Sequence, residues 1–220
     1  MNLNKGVSLN LPYIDAQRLF DWLRMPMPFL KFDAVFIAGS GSIGPVRECL
    51  KLFHGSGYRP IVFTSKGGNF GGNTIFGRDE VLEYKEELQS HIPDRFIFHP
   101  AESEWTTNTL LEATNGMKFL RQCAPEAKTV VLCGRGVHMR RLNLTFRKHN
   151  PDLTIVNRAD DEVASVELLE RMCDEVGRIQ LYGKKGDLLE EEIPDFVWDI
   201  VGQIERHLAS KTPRTPVTRQ

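Results

Sequence analysis

Cysteine is scarce in this 220-residue chain: Cys49, Cys123, Cys133 and Cys173 stand far apart, and none forms a C-x-x-C pair. Scattered thiols of this kind fit buried side chains in a reducing compartment, and they argue against a disulfide framework or a zinc cluster. Long apolar runs are missing as well. No window of about 18 uncharged apolar residues occurs, so no membrane span is expected. Residues 1–11 carry one lysine and no long apolar core, which is not the pattern of a secretory signal. A cytoplasmic protein without a membrane partner is the expectation. Charge of one sign is not in excess either, with 28 Lys and Arg against 29 Asp and Glu and a net charge of -1. That balance excludes bulk attraction to nucleic acid, although it allows a local basic pocket. His54, His91, His99, His149 and His207 show no metal-ligand spacing, so no metal is expected. There is also no G-x-S-x-G nucleophile elbow and no Walker G-K-S/T motif, which removes two common enzyme classes.

What the chain does have is a set of small and polar clusters, each placed after a stretch that reads as a buried strand. Gly39-Ser40-Gly41-Ser42-Ile43-Gly44 follows 33–38, and Ser65-Lys66-Gly67-Gly68-Asn69 follows 60–64. Thr106-Thr107-Asn108-Thr109 comes soon after 95–99, and Gly134 to Arg141 follows 129–133. In an open α/β sheet, ligands bind outside the carboxyl ends of the strands, where the strand order reverses. The four clusters therefore predict one shared crevice.

Between these clusters the pattern alternates. Helices are predicted over 14–23, 46–53, 77–90, 107–122, 138–148 and 160–176, with a further apolar stripe from Phe196 to Leu208. Strands are predicted near 33–38, 61–64, 96–98, 130–132 and 153–156. The expected fold is α/β: a doubly wound, mainly parallel Rossmann-like sheet of about five strands with helices on both faces. One domain is expected over 1–209, with a disordered tail over 210–220 that carries Pro213 and Pro216 among polar residues.

Each cluster has a chemical and a bland reading. The first fits G-x-G-x-x-G, and its backbone N–H groups at a helix start suit a phosphate or carboxylate, with Gly39, Ser40 and Gly41 closest. A dinucleotide site also wants an acid near the end of the second strand, where this chain has Ser65 and Lys66 and no Asp or Glu before Asp79. Lys66, Gly67 and Gly68 open a long glycine-rich loop that suits a functional segment. Arg78 offers a planar fork for a carboxylate or phosphate, and Glu80 a partner for a ribose hydroxyl or an amine. Thr106, Thr107, Asn108 and Thr109 can cap a helix, but capping needs only one of them. Glu112 shares a helix face with Asn108. His138 has an ordinary pKa near neutrality, which suits a proton acceptor or a ligand contact. Arg141, one turn along, points to an anionic group on a small-molecule ligand. The bland readings are a tight turn, first-turn surface residues, a cap and a solvated basic patch.

Taken in order, these motifs resemble the YdcF-like branch of the SanA/ElyC/YdcF proteins, across roughly Asp33 to Leu208. Lys66-Gly67-Gly68 resembles the family's glycine loop, Gly77-Arg78-Asp79-Glu80 its G-R-x-E, Thr106 to Thr109 its S-T-N-T, and His138-Met139-x-Arg141 its H-M-x-R. The stretch Gly177 to Tyr182, with Lys185-Gly186 and Ile193-Pro194 after it, resembles the closing region. The chain departs from the pattern at Glu112, where the family usually has asparagine, and at Ser103, where it usually has glutamate. The resemblance implies a Rossmann-like fold and S-adenosylmethionine binding. The reading is thus a ligand-binding α/β protein, with group transfer as the natural reaction class. The rivals are an NAD(P)-linked oxidoreductase and a non-catalytic sensor.

Overall fold

A computed structural model describes residues 13–28, 31–53, 57–67, 79–160, 162 and 166–211. Five strands form one sheet, β1 (Ala34–Ile37), β2 (Ile61–Phe63), β3 (Ile97–Phe98), β4 (Thr129–Gly134) and β5 (Thr154–Ala159). All neighbours run parallel, in the order β3-β2-β1-β4-β5. The expected Rossmann-like sheet is therefore present. Chain order reverses at β1, which lies between β2 and β4, so the carboxyl end of β1 is where a crevice opens in such sheets.

Helices explain why these strands are apolar along their whole length. On one face, Val35, Ile37, Ile61, Phe63, Val131 and Val156 pack with Val46 and Cys49 of α2 (Gly44–Lys51) and with Val81, Tyr84 and Leu88 of α3 (Glu80–Gln89). On the other face, Ala34, Phe36, Val62, Val130, Leu132 and Ile155 meet Met117 and Leu120 of α5 (Met117–Cys123) and Met139, Leu142 and Phe146 of α6 (Met139–His149). Successive residues of β1 alternate between these two faces, and both are covered, which is why the strand reads as one apolar run. A third cluster joins α1 (Tyr13–Arg24), α7 (Val166–Lys185) and α8 (Asp195–Lys211) through Leu19, Leu23, Met172, Val176, Val197 and Ile204. No helix of the described residues is long and apolar enough to cross a membrane.

Several elements differ from the sequence reading. The helix expected over 107–122 is instead α4 (Thr109–Leu111), a π-helical turn over Glu112–Gly116, and α5. An added Cβ at Gly116 would lie 2.9 Å from both Phe36 Cζ and Thr64 Oγ1, so glycine lets the π-turn settle against the sheet. β5 runs three residues past its expected end, because its polar residues are tied down: Asn143 donates to Asn157 at 2.8 Å, and Arg158 pairs with Glu48 at 2.9 Å. A 3-10 turn over Gly136–His138 precedes α6, which begins at Met139. The last helix continues to Lys211, and the rest of the expected tail, 212–220, lies outside the described residues.

Candidate functional site

The crevice side of the sheet is stitched together beyond the ends of the strands. Thr106 donates its N–H to Thr64 O and Lys66 donates to Thr106 O, each at 2.8 Å, so Ser65 and Thr106 form a parallel bridge that prolongs the sheet. The hydroxyls of Thr64 and Thr106 are 2.9 Å apart and buried. Glu80 N–H bonds Lys66 O at 3.3 Å, which ties the start of α3 to the same edge. Gly67 holds φ at +105° and donates to Ser65 Oγ, a backbone that favours glycine.

The glycine turn after β1 closes on two acids. Glu80 Oε1 accepts from Ser40 N–H at 2.9 Å, from Gly41 N–H at 2.7 Å and from the Tyr84 hydroxyl at 2.6 Å. Glu112 Oε1 accepts from Gly39 N–H at 2.7 Å. Both side chains are buried, Glu80 at 0% and Glu112 at 2% exposure. The backbone donors suited to an external anion are thus met from inside the protein. An added Cβ at Gly39 would come within 2.0 Å of Ser65 Oγ and 2.8 Å of Glu80 Oε2, so close approach fixes this glycine. Gly41 is glycine for a different reason, a φ of +68°. Glu80 Oε2 is buried and has no hydrogen-bond partner.

Burial sets the acidity of Glu112. Desolvation raises Glu112 to about 8, with Glu80 adding to the rise and Gly39 N–H and Arg141 opposing it. Glu112 is therefore mostly protonated at neutral pH, presenting one acceptor and one donor. Desolvation and the neighbouring Glu80 likewise push the Tyr84 phenol well above its ordinary value, which keeps it a donor.

A second polar cluster lies beside the first. Arg141 grips Glu175 of α7 through Nε at 2.6 Å and Nη2 at 3.2 Å, and its Nη1 donates to Thr109 Oγ1 at 3.2 Å. His138 Nε2 is 3.2 Å from the same hydroxyl, and Arg178 reaches Glu175 at 2.6 Å. Burial first, then the guanidiniums of Arg141, Arg178 and Arg135, hold His138 at about 3 against the pull of Glu175. The expectation of a near-neutral proton acceptor is corrected here: His138 is a neutral, weak base. Burial alone would raise Glu175, but His138, Arg141 and Arg178 outweigh it and hold the carboxyl at about 2.

The structure thus brings Gly39, Ser40, Gly41, Lys66, Gly67, Glu80, Thr106, Thr109, Glu112, His138 and Arg141 to one edge of the sheet. Thr107 and Asn108 are exposed at that edge, and Asn108 Oδ1 caps α4 by accepting from Leu111 N–H. Gly68 and Arg78 lie outside the described residues. Sequence reasoning missed Tyr84, Glu175 and Asp160. Tyr84 stood one helical turn from Glu80, a visible signal. Asp160, just past β5, accepts from Gly136 N–H at 2.8 Å, an added Cβ at Gly44 would lie 2.4 Å from its Oδ2, and burial raises its pKa. A hollow of about 220 Å³, lined by Ile179, Gly183, Lys184, Glu190 and Trp198 among others, shares no residue with this crevice. Among the described residues no group of three or more His, Cys, Asp or Glu is placed to hold a metal. Comparison with protein-family models and with curated protein sequences gives no match to the chain.

Proposed function

We propose that this is a cytoplasmic, YdcF-like protein that binds S-adenosylmethionine, or a similar nucleotide-bearing cation, at the carboxyl end of β1. The observation that carries the reading is the pair of carboxyls on the glycine turn. A dinucleotide seats its pyrophosphate on free backbone N–H groups at such a turn. Here Gly39, Ser40 and Gly41 give theirs to Glu112 and Glu80, so the turn offers acid where a pyrophosphate needs donors. Acid favours a sulfonium or an ammonium. The protonated Glu112 also offers the acceptor and donor of a side-chain amide, which fits its place where the resembled family has asparagine.

Arg141 is engaged by Glu175 and Thr109, yet a guanidinium has five N–H donors and three are used, so two are left for a ligand carboxylate. Group transfer is the reaction class that such a cofactor serves. Binding without catalysis is the second reading, and it rests on His138, whose pKa of about 3 makes it a poor base near neutral pH. Calorimetric titration of S-adenosylmethionine, NAD and NADP under one set of conditions tests the proposal. S-adenosylmethionine should bind at least ~10-fold more tightly than either dinucleotide, a gap of about 1.4 kcal/mol. Tighter binding of NAD or NADP would reverse the assignment to an oxidoreductase.

A further inference from the structure

We propose that the acid pair is a proton–cation exchange site, in which Glu112 carries a proton in the free protein and releases it when a positively charged ligand enters. This rests on the reading of the crevice as a cation site and adds the charge specificity and its proton linkage. The geometry supplies the argument. Two carboxyls from different helices converge on three consecutive residues, Gly39 to Gly41, and neither has an ion-pair partner among the described residues. Glu80 takes three donors on one oxygen and leaves the other buried and unpartnered. Glu112 takes one donor. A second negative charge at Glu112 would act against Glu80 across the turn at a buried position, where burial disfavours the charged form unless an opposite charge matches it.

The groups that face Glu112 decide what can match it. From α3 come Glu80 and Tyr84, the first acidic and the second a neutral phenol. The ends of β2 and of the Thr106 bridge bring hydroxyls, Thr64, Ser65 and Thr106, and Lys66 is exposed at the surface. From the His138 turn and α6 come a neutral imidazole and Arg141, and α7 brings Glu175 and Arg178. Among the described residues Arg141 is the cation that acts on Glu112, and it is already bidentate on Glu175. With no further cation set against Glu112 among the described residues, a cationic ligand is the charge that would match its ionised form. A sulfonium supplies one; its uncharged thioether counterpart does not. Both molecules carry the tail ammonium, so the sulfonium is the charge that differs; with the sulfonium set against Glu112, binding of S-adenosylmethionine should release about one proton and binding of S-adenosylhomocysteine none.

The test has a ligand-free and a ligand arm. In the first, denaturation of wild type and Glu112→Gln is followed between pH 6.5 and 8. Wild type should lose stability with rising pH and Glu112→Gln should not; equal slopes overturn the proposal. If Glu112→Gln does not fold, the infrared band of a protonated buried carboxyl in wild type, lost above pH 8, gives the same decision. In the second arm, S-adenosylmethionine is titrated at pH 7 in two buffers of different ionisation enthalpy. A buffer-dependent heat corresponding to about one proton, absent with S-adenosylhomocysteine, is the expected result. Binding with no proton release overturns the exchange site while leaving the cofactor reading intact. No binding of S-adenosylmethionine overturns both that reading and the exchange, and the first arm then still reports whether Glu112 holds a proton.

Discussion

Gly39 is held to glycine by its neighbours rather than by its backbone angle. A methyl group there would overlap Ser65 and press on Glu80 Oε2, and both lie in tightly packed surroundings. Gly39→Ala should cost about 1–3 kcal/mol, the range for overpacking, measured by chemical denaturation. Glu80 is the larger dependence. Glu80→Ala leaves the part-buried Ser40 N–H and Gly41 N–H without their acceptor, at up to about 1–3 kcal/mol each, while the Tyr84 hydroxyl can still donate to Ser42 O at 3.1 Å. Tyr84→Phe removes one donor and should cost only about 1 kcal/mol. Similar losses in the two variants would show that Glu80 does not organise the turn.

At the scale of elements, the π-turn is what carries Glu112 to the glycine turn. It widens the helix between α4 and α5 by one residue, and Gly116 at its end lies against Phe36 and Thr64. Such turns recur at functional sites. Gly116→Ala should force this segment off the sheet, with a loss of about 1–3 kcal/mol and weaker S-adenosylmethionine binding in the same variant. The sequence could not reveal the π-turn, since its apolar residues keep ordinary helical spacing from Ala113 to Leu120. Strands and helices were legible because β1, β2 and β4 are buried on both faces and α2, α6 and α7 on one, and burial writes its period into the residues. Partners were not legible. Glu112 lies 73 residues from Gly39 and Glu175 lies 34 from Arg141, so only the fold reveals these pairs. The same distance explains the change in role for Glu80 and Glu112: a buried carboxyl takes the nearest donors, and here those are the backbone of the turn.

At the scale of the whole molecule, the polar crevice ties the third helical cluster to the sheet. Arg141 on α6 holds Glu175 on α7, while Arg140 pairs with Glu191 and donates to Trp22 O of α1 at 2.8 Å. The acidities set by this arrangement oppose one another. His138 is lowered from 6.5 to about 3, so the unfolded chain binds the extra proton and stability falls as pH drops below 6.5. Glu112 is raised from 4.5 to about 8, so the folded chain binds the extra proton and stability falls as pH rises from 4.5 to 8. Between 4.5 and 6.5 the two slopes cancel. Asp160, raised by burial from 3.8, adds to the Glu112 slope at its lower end. Below 4.5, Glu175 joins His138, because its carboxylate is held at about 2 and its contribution is lost on acidification. Stability should therefore be nearly level from pH 4.5 to 6.5 and fall on both sides. On the alkaline side Glu112 acts without its opponent, and one proton over 1.5 pH units is worth about 2 kcal/mol. His138→Gln should remove the opposing slope, so that stability declines from 4.5 upward instead of from 6.5. Denaturation midpoints of wild type and His138→Gln across pH 4 to 9 would show it, and a wild-type maximum above pH 8 would mean that Glu112 is not the acid that these surroundings make it.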